Sequence, residues 1–461
     1  MTASTGTGRA AAGRRGGTSR RRRACGGVVA TAVATGLATG LLAACGEAAP
    51  QSQDPVTLTM WTHGGTEAEQ AVLRSQVASW DERHDDAGVD LKVVPEGEYT
   101  DRLQAAAAAG EVPDVVDVDG PLVSSFAYQG VLAPLDDLLP ADVVSDALPS
   151  LIAQGTWDHR LYALGAFESG LALFADRARL AAAGIRIPVS PDDAWSADEA
   201  SAALVALAVD DPDGLVLDTK RSYGVGEWST YGFSPLVVSA GGGLLDEGTG
   251  RAHGAIDGPE AVQALTTLQR WHAFVDPDES GTAFVERRVA LSWVGHWEFG
   301  RYAEALGDDL ALVPLPDLGH GTRATTGSWA WAVGARSAHP REAADLLTHL
   351  LSTDSVLETT AANGAVPGST TALEQAPDYR PGGSRHLYAQ QLVADCTGGP
   401  DAGCVAVQRP ATPGYPVITA AFAQALDEVL RGGDPAVALE AAAAAIDADR
   451  DANDGYAAPA P

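Results

Sequence analysis

Basic residues are scarce in this sequence. The 461 residues include 30 Lys and Arg against 61 Asp and Glu, a formal net charge of −31. A surface this acidic repels phosphate, which excludes nucleic acid as a partner and argues against electrostatic docking on anionic lipid. Lysine is scarcest of all, present only as Lys92 and Lys220, while Ala, Arg, Asp and Gly are abundant, the usage of a GC-rich genome. Catalytic signatures are missing as well. There is no HExxH, no GxSxG and no Walker loop, and "YGVGEW" has G-x-G without a third glycine. "DDPDGLVLDTK" imitates a calcium loop, but its first position is Val209 and its twelfth Lys220, so the oxygen set is incomplete. Adjacent acids such as Asp136–Asp137 and Asp192–Asp193 read as solvated and make poor acid–base pairs. No catalytic residue, metal ligand or cofactor is expected. No repeat of 20–50 residues stands out, which excludes a solenoid.

Cysteine is also rare, with four in the chain. The first 23 residues carry seven arginines and no acid, and residues 26–44 carry no charge. A basic start, a short apolar run and small residues before a cut describe an export signal. A single transmembrane anchor is the alternative, although the many Gly and Ala residues make a weak span. Leu42-Ala43-Ala44-Cys45 resembles the lipobox of bacterial lipoproteins, in which the cysteine thiol takes a lipid and the preceding segment is removed. The expectation is a signal peptide over 1–44, lipidation at Cys45 and a flexible tether over 45–54. "SRRRR" hints at a twin-arginine export route. Cys25 leaves with the signal. Cys396 and Cys404, in "CTGGPDAGC", flank a Gly/Pro turn in an exported chain and read as a local disulfide; a metal site is the rival, with no His or second Cys pair near it.

The remainder alternates strand and helix. "VTLTMW" (56–61) reads as a strand, 66–84 as a helix with Ala71, Val72, Val77 and Trp80 near one face, "VDLKVVP" as a strand, "YTDRLQAAAAAG" as a helix ending at Gly110, and "PDVVDVDG" as a third strand. This order implies a parallel sheet covered by helices. Further on, 161–185 reads as strand, turn, strand and helix, 192–209 and 259–274 as helices, "RVALSWVGHWEFGRYAEAL" as strand, Gly turn and helix, and "SWAWAVGA" as a strand. "PREAADLLTHLLS" and the C-terminal segments read as helices.

The ordered segments "LTMWTHGG", "AAAAGEVPDVVDVDG", "YQGVLAPLDDLL", "RLYALG", "LFADRARLAAAGI", "RVALSWVGHWEF", "LVPLPD", "GSWAWAV…HPREAADLLTHLLS", "NGAVPGS" and "RPATPGYPVI" resemble the carbohydrate-binding branch of the extracellular solute-binding proteins, the receptors of ABC importers. The resemblance runs from about Val56 to Asn453. It lacks the proline usual after "YALG", and "GHW" replaces the commoner Gly-Pro-Trp. It implies an α/β, two-lobed periplasmic-binding-protein-like fold with a hinge and an interlobe ligand cleft. Residues 55–164 plus 315–366 would form lobe 1, 165–314 plus 367–455 lobe 2, and 456–461 a disordered tail. Crossings fall near Gly165, Pro314–Pro316 and Gly364–Pro367, and closure about them would hold the ligand. Partners implied are a sugar or oligosaccharide, ABC permease subunits and the membrane through the lipid; the receptor would be a monomer on the outer face of the cell membrane.

Sugars present apolar C–H faces and a rim of hydroxyls, so a site needs flat aromatic surfaces and fixed polar groups. Of ten tryptophans, Trp297 and Trp329 stand on loops where the family places stacking residues, and Trp228 in "GEWSTYGF" is a third candidate. Trp80, Trp195 and Trp271 sit on helical faces and read as core. Polar candidates follow strand ends: Thr62, His63 and Gly64 after the first strand, Asp119 and Gly120 after the third, and Glu168 beyond the first crossing. Arg409 and Tyr415 in "RPATPGY" would reach the cleft from the second lobe. Three rival readings stay open: a glycerol-3-phosphate receptor using Arg323 and Arg409, a secreted glycoside hydrolase with paired carboxylates, and a lipoprotein that binds no small ligand.

Overall fold

The computed structural model describes residues 55–209, 211–393 and 404–457. The expected signal peptide 1–44, the tether 45–54 with Cys45, and Cys396 lie outside the described residues. Cys404 is disulfide-bonded.

The strands that build the sheets are, in chain order, β1 (Val56–Thr62), β2 (Ala87–Val93), β3 (Val115–Asp119), β4 (Ala163–Gly165), β5 (Leu171–Asp176), β6 (Leu217–Asp218), β7 (Leu291–Gly295), β8 (Leu310–Val313), β9 (Ala324–Thr326), β10 (Trp329–Val333) and β11 (Ala406–Gln408). The first sheet has the order β2-β1-β3-β10-β4 and the second β8-β5-β7-β6; β9 and β11 make a separate parallel ribbon. With the helices that pack on them, the two sheets form two α/β lobes.

The first two crossovers follow from local chemistry. Helix α1 (Glu67–Asp81) starts at a reciprocal cap: the Glu69 amide donates to Thr66 Oγ1 and the Thr66 amide to the Glu69 carboxylate. Its buried stripe is Gln76, Val77 and Trp80, with Leu73 half-buried, against Leu58 and Met60 of β1. Ala71, expected on that face, is exposed, because a stripe counted back from Trp80 in steps of three and four reaches Leu73 instead. Helix α2 (Glu96–Ala109) ends at Gly110 with φ +71°, the left-handed stop that glycine supplies. Trp80, Trp195 and Trp271 are all buried, but Trp195 precedes the helix expected over 192–209, which starts only at Ala197 after a short turn at Pro191–Asp193.

Strand direction then gathers the polar residues. β1 runs parallel to β2 and β3, so Thr62 and Asp119 leave the sheet at one edge. β10 is antiparallel, with Trp329 opposite Asp119 and Ala330 opposite Gly165, so Trp329 begins where β3 and β4 end. In the second sheet, Gly295 at the end of β7 pairs with Leu171 at the start of β5, and β6 runs parallel to β7 with Asp218 beside Ser292. The chain passes between sheets through Phe167–Glu168, which pairs antiparallel with Val366–Pro367.

Helix α3 (Glu227–Ser239) has no counterpart in the sequence pattern. It is buried nearly all round and carries Gly232 and Pro235 inside, so it shows neither an amphipathic period nor helix-favouring residues. It packs on α4 (Pro259–Trp271) and on α5 (Tyr415–Leu430), and α6 (Pro435–Ala452) closes the bundle. Tyr456, the first residue of the expected tail, meets Tyr128 edge-on with ring centres 5.6 Å apart and donates to Asp449 at 2.5 Å.

Candidate functional site

Two groups of aromatic rings stand at the facing sheet edges. At the first edge His63 stacks on Trp329, ring centres 4.1 Å apart and planes 9° from parallel, with Tyr99 edge-on to both. At the second edge Trp228, Tyr223, Tyr231 and Trp297 pack with centre distances of 5.4–6.4 Å. Trp228, Trp297 and Trp329 are all half-buried, so each keeps part of its ring accessible. Gly295 is needed for this pose, since a Cβ there would come within 2.1 Å of the Trp297 ring. His296, standing where proline is commoner, contacts the Asn363 carbonyl at 3.0 Å and Ser169 Oγ at 3.3 Å. Burial pulls its pKa down to about 4, so it is neutral at pH 7 and works as a fastener of the Trp297 turn.

His63 has the opposite charge state. Its Nδ1 lies 2.5 Å from the Asp117 carboxylate, and its backbone N–H also donates to Asp117. Burial opposes the imidazolium, but Asp117, with Glu96 and Glu69 nearby, more than offsets it and lifts the pKa to about 10. Thr62 is buried and donates to Asp117 at 2.8 Å. The buried Gly64 gives its carbonyl to Gln70, and Gly120 donates its N–H to the Ser328 carbonyl at 3.0 Å. These positions shape the loop, and His63 is held in it by Asp117 at Nδ1 and by Trp329 against its ring.

A chain of charges links the two edges. Arg409 grips Asp119 with two bonds of 2.8 and 2.9 Å and reaches Glu227, the first residue of α3, at 2.6 Å, with its guanidinium carbon 5.0 Å above the Tyr231 ring. Burial opposes the guanidinium charge, and the Asp119 and Glu227 carboxylates hold it in place. Glu227 also accepts from Tyr415 and, at 2.6 Å, from Thr419. Tyr415 is fully buried, so it orients Glu227 and presents no surface of its own, unlike the ligand contact the sequence suggests. Glu168 is likewise fully buried: it accepts from Ser150 at 2.7 Å, Ser169 at 3.2 Å and the Gly327 amide, while burial pushes its carboxyl above the ordinary range. It ties the crossing segments together.

The sequence reading missed Asp117, Tyr99, Tyr223, Glu227 and Tyr231. For the last two a signal existed: four residues apart, they share a face if "EWSTY" is helical. A cavity of about 850 Å³ is lined by Ser150, Thr326, Gln408, Arg409 and the Gly241–Gly243 loop, but none of Trp228, Trp297 and Trp329 lines it. Among the described residues no cluster of three or more His, Cys, Asp or Glu is placed to hold a metal, and no helix is long and apolar enough to cross a membrane.

Comparison with known proteins bears on this arrangement. A family model described as bacterial extracellular solute-binding protein matches residues 77–380. An uncharacterized lipoprotein from the oleD 5′ region of Streptomyces antibioticus is 33% identical over 161 residues, 34% of this chain and 34% of that protein, so the match spans about a third of its length. The GacH receptor of Streptomyces glaucescens, solved unliganded and with acarbose, superposes with a TM-score of 0.72 at 23% identity, covering 87% of this chain and 98% of its own. The substrate-binding protein Lmo0181 of Listeria monocytogenes, in complex with cycloalternan, gives 0.72 at 19% identity, covering 86% and 100%.

Proposed function

The chain belongs to the bacterial extracellular solute-binding proteins, and from that membership we propose that it captures a sugar or oligosaccharide between its lobes and delivers it to an ABC permease. The observation that carries the ligand class is the pairing of half-buried aromatic faces with directed polar groups: Trp297 and Trp228 on one edge, Trp329 with His63 on the other, and the Asp119–Arg409–Glu227 chain between them. Apolar sugar faces suit the rings, and hydroxyls suit carboxylates that accept two bonds each. The structural neighbours named above were solved with acarbose and cycloalternan, which supports the same class.

Closure around ligand is the mechanism, with no chemical step. We place three crossings, at Gly165–Leu171, Gly327–Ser328 and Gly364–Pro367. The middle one lies later than the Pro314–Pro316 expected, because β9 still pairs with β11 and Thr325 donates to the Tyr231 carbonyl at 2.7 Å. A phosphate ligand is disfavoured by the cations themselves. Arg409 is committed to two carboxylates, and Arg323 is buried with one nitrogen 2.5 Å from the Cys404 carbonyl.

Export and lipid attachment at Cys45 complete the reading, with a monomer working at the outer face of the membrane. Cys45→Ser is expected to release or misprocess the protein while leaving ligand binding intact; a Cys45→Ser protein that stays on the membrane after normal processing removes the anchor. Incubation with labelled oligosaccharides separates receptor from hydrolase, since product formation overturns the receptor. The ligand class is tested by Trp297→Ala, which is expected to weaken binding more than about tenfold through loss of a buried aromatic contact; unchanged affinity takes Trp297 out of the site.

A further inference from the structure

A chain that uses arginine for nearly every cation keeps one of its two lysines, Lys220, almost completely buried. Its backbone is left-handed, φ +56° and ψ +49°, which turns the chain sharply after β6. Three oxygens stand around its ammonium: Asp218 Oδ2 at 3.3 Å, Glu298 Oε1 at 3.4 Å and the Gly281 carbonyl at 3.4 Å, with the Tyr302 ring 5.1 Å away. An ammonium has three donors and is compact, so it fits a three-oxygen niche that the planar fork of arginine does not.

The niche does not end at the lysine. Glu298 Oε1 accepts from the Tyr223 hydroxyl at 3.1 Å, and that hydroxyl in turn accepts from Trp297 Nε1 at 2.8 Å. Burial and the Glu298 carboxylate push the Tyr223 hydroxyl upward in pKa, so it keeps the proton it donates. The residue before the lysine supplies the second link: the Thr219 carbonyl accepts from Trp228 Nε1 at 3.0 Å. Both half-buried tryptophans of the second edge are therefore fixed by the turn Asp218–Tyr223, which begins at the end of the segment that imitates a calcium loop. A lysine stands where such a loop would put its last oxygen.

We propose that Lys220 is a positioning residue for the aromatic binding face: as a built-in cation it holds Glu298, which through Tyr223 sets the ring plane of Trp297, while the adjoining Thr219 carbonyl sets that of Trp228. Lys220 touches no ligand. The proposal rests on the sugar-receptor reading only for its consequence, since the relay itself can be read without any ligand. Arg301, exposed and 3.2 Å from the other oxygen of Glu298, is the competing partner.

The test uses the full-length protein labelled with 15N at tryptophan, with the Trp297 indole signal assigned by its loss in Trp297→Phe. Tyr223→Phe removes both hydrogen bonds at a partly exposed position. It is expected to displace the Trp297 signal and speed its exchange with solvent about fivefold, the worth of one hydrogen bond. Lys220→Met is expected to displace the same signal, Arg301→Ala to leave it, and the buried Trp80 and Trp195 signals to stay in place throughout. Should Lys220→Met not fold, Lys220→Met with Asp218→Asn keeps the charge balanced and is read the same way. A Trp297 signal unmoved in the lysine variant, or in Tyr223→Phe, overturns the relay. The receptor reading is judged separately by whether Trp297→Ala weakens binding of acarbose or maltotriose.

Discussion

At the scale of single residues, the site sets two histidines in opposite charge states, His63 beside the Asp117 carboxylate and His296 beside the Asn363 carbonyl. His63 and Asp119 stand at strand ends and Arg409 lies in "RPATPGY"; Arg409 pairs with Asp119, while His63 stacks on Trp329 and pairs with Asp117. Glu168 and Tyr415 are marked as strongly in the sequence yet face inward, because the Ser150 hydroxyl and the Gly327 amide claim the first and the Glu227 carboxylate the second. Charge state was equally hidden: His63 and His296 look alike in a sequence, but one is bound to Asp117 and the other to a carbonyl in an apolar setting. Because the folded pKa of His63 is raised to about 10 from an ordinary value of 6.5, its contribution to stability is complete below pH 6.5 and is lost as pH rises toward 10. Each unit of such a shift is worth about 1.4 kcal/mol. Urea unfolding at pH 6 and pH 9 is expected to show a loss of stability on the alkaline side that His63→Gln lacks; equal losses in both proteins contradict the paired imidazolium.

At the scale of elements, the parallel sheet and its capped helices were legible, since Thr66, Glu69 and Gly110 are local signals that need no tertiary context. Helix α3 was not. An element buried on every side has no polar face to set a period, and Pro235 argues against a helix until its neighbours are known. Yet α3 carries Glu227, Trp228 and Tyr231, so the largest gap in the sequence reading fell on the element richest in site residues. Glu227→Ala is expected to cost about 1–3 kcal/mol, because it leaves the buried Tyr415 hydroxyl without an acceptor. Tyr415→Phe combined with it should cost less than the two changes summed. Additive losses in a double-mutant cycle would show that the two groups are not coupled. Gly295→Ala makes a complementary case at the end of β7: the new methyl displaces the Trp297 ring, so ligand affinity is expected to fall while the melting temperature holds.

At the scale of the whole molecule, ordered landmarks along the chain pointed to the two-lobed architecture, although each alone is weak. The lobe limits were harder to read, because β9 and β11 lie far apart in sequence and only their pairing shows which company the segment before Gly327 keeps. The Asp119–Arg409–Glu227 chain joins the end of β3 in the first lobe to α3 in the second. Arg409→Ala leaves two carboxylates facing each other and is expected to lower stability by about 3 kcal/mol and to raise the radius of gyration of the unliganded protein in X-ray scattering. An unchanged radius would show that the pair does not hold the lobes.

Calorimetric titration of the protein and of Trp297→Ala with a panel of mono- and oligosaccharides and glycerol-3-phosphate decides whether a neutral carbohydrate closes the cleft between the lobes. One-to-one binding of at least one neutral sugar is expected, weakened more than about tenfold in the variant. Binding of glycerol-3-phosphate alone, or no heat from any sugar in the panel, rules a sugar receptor out.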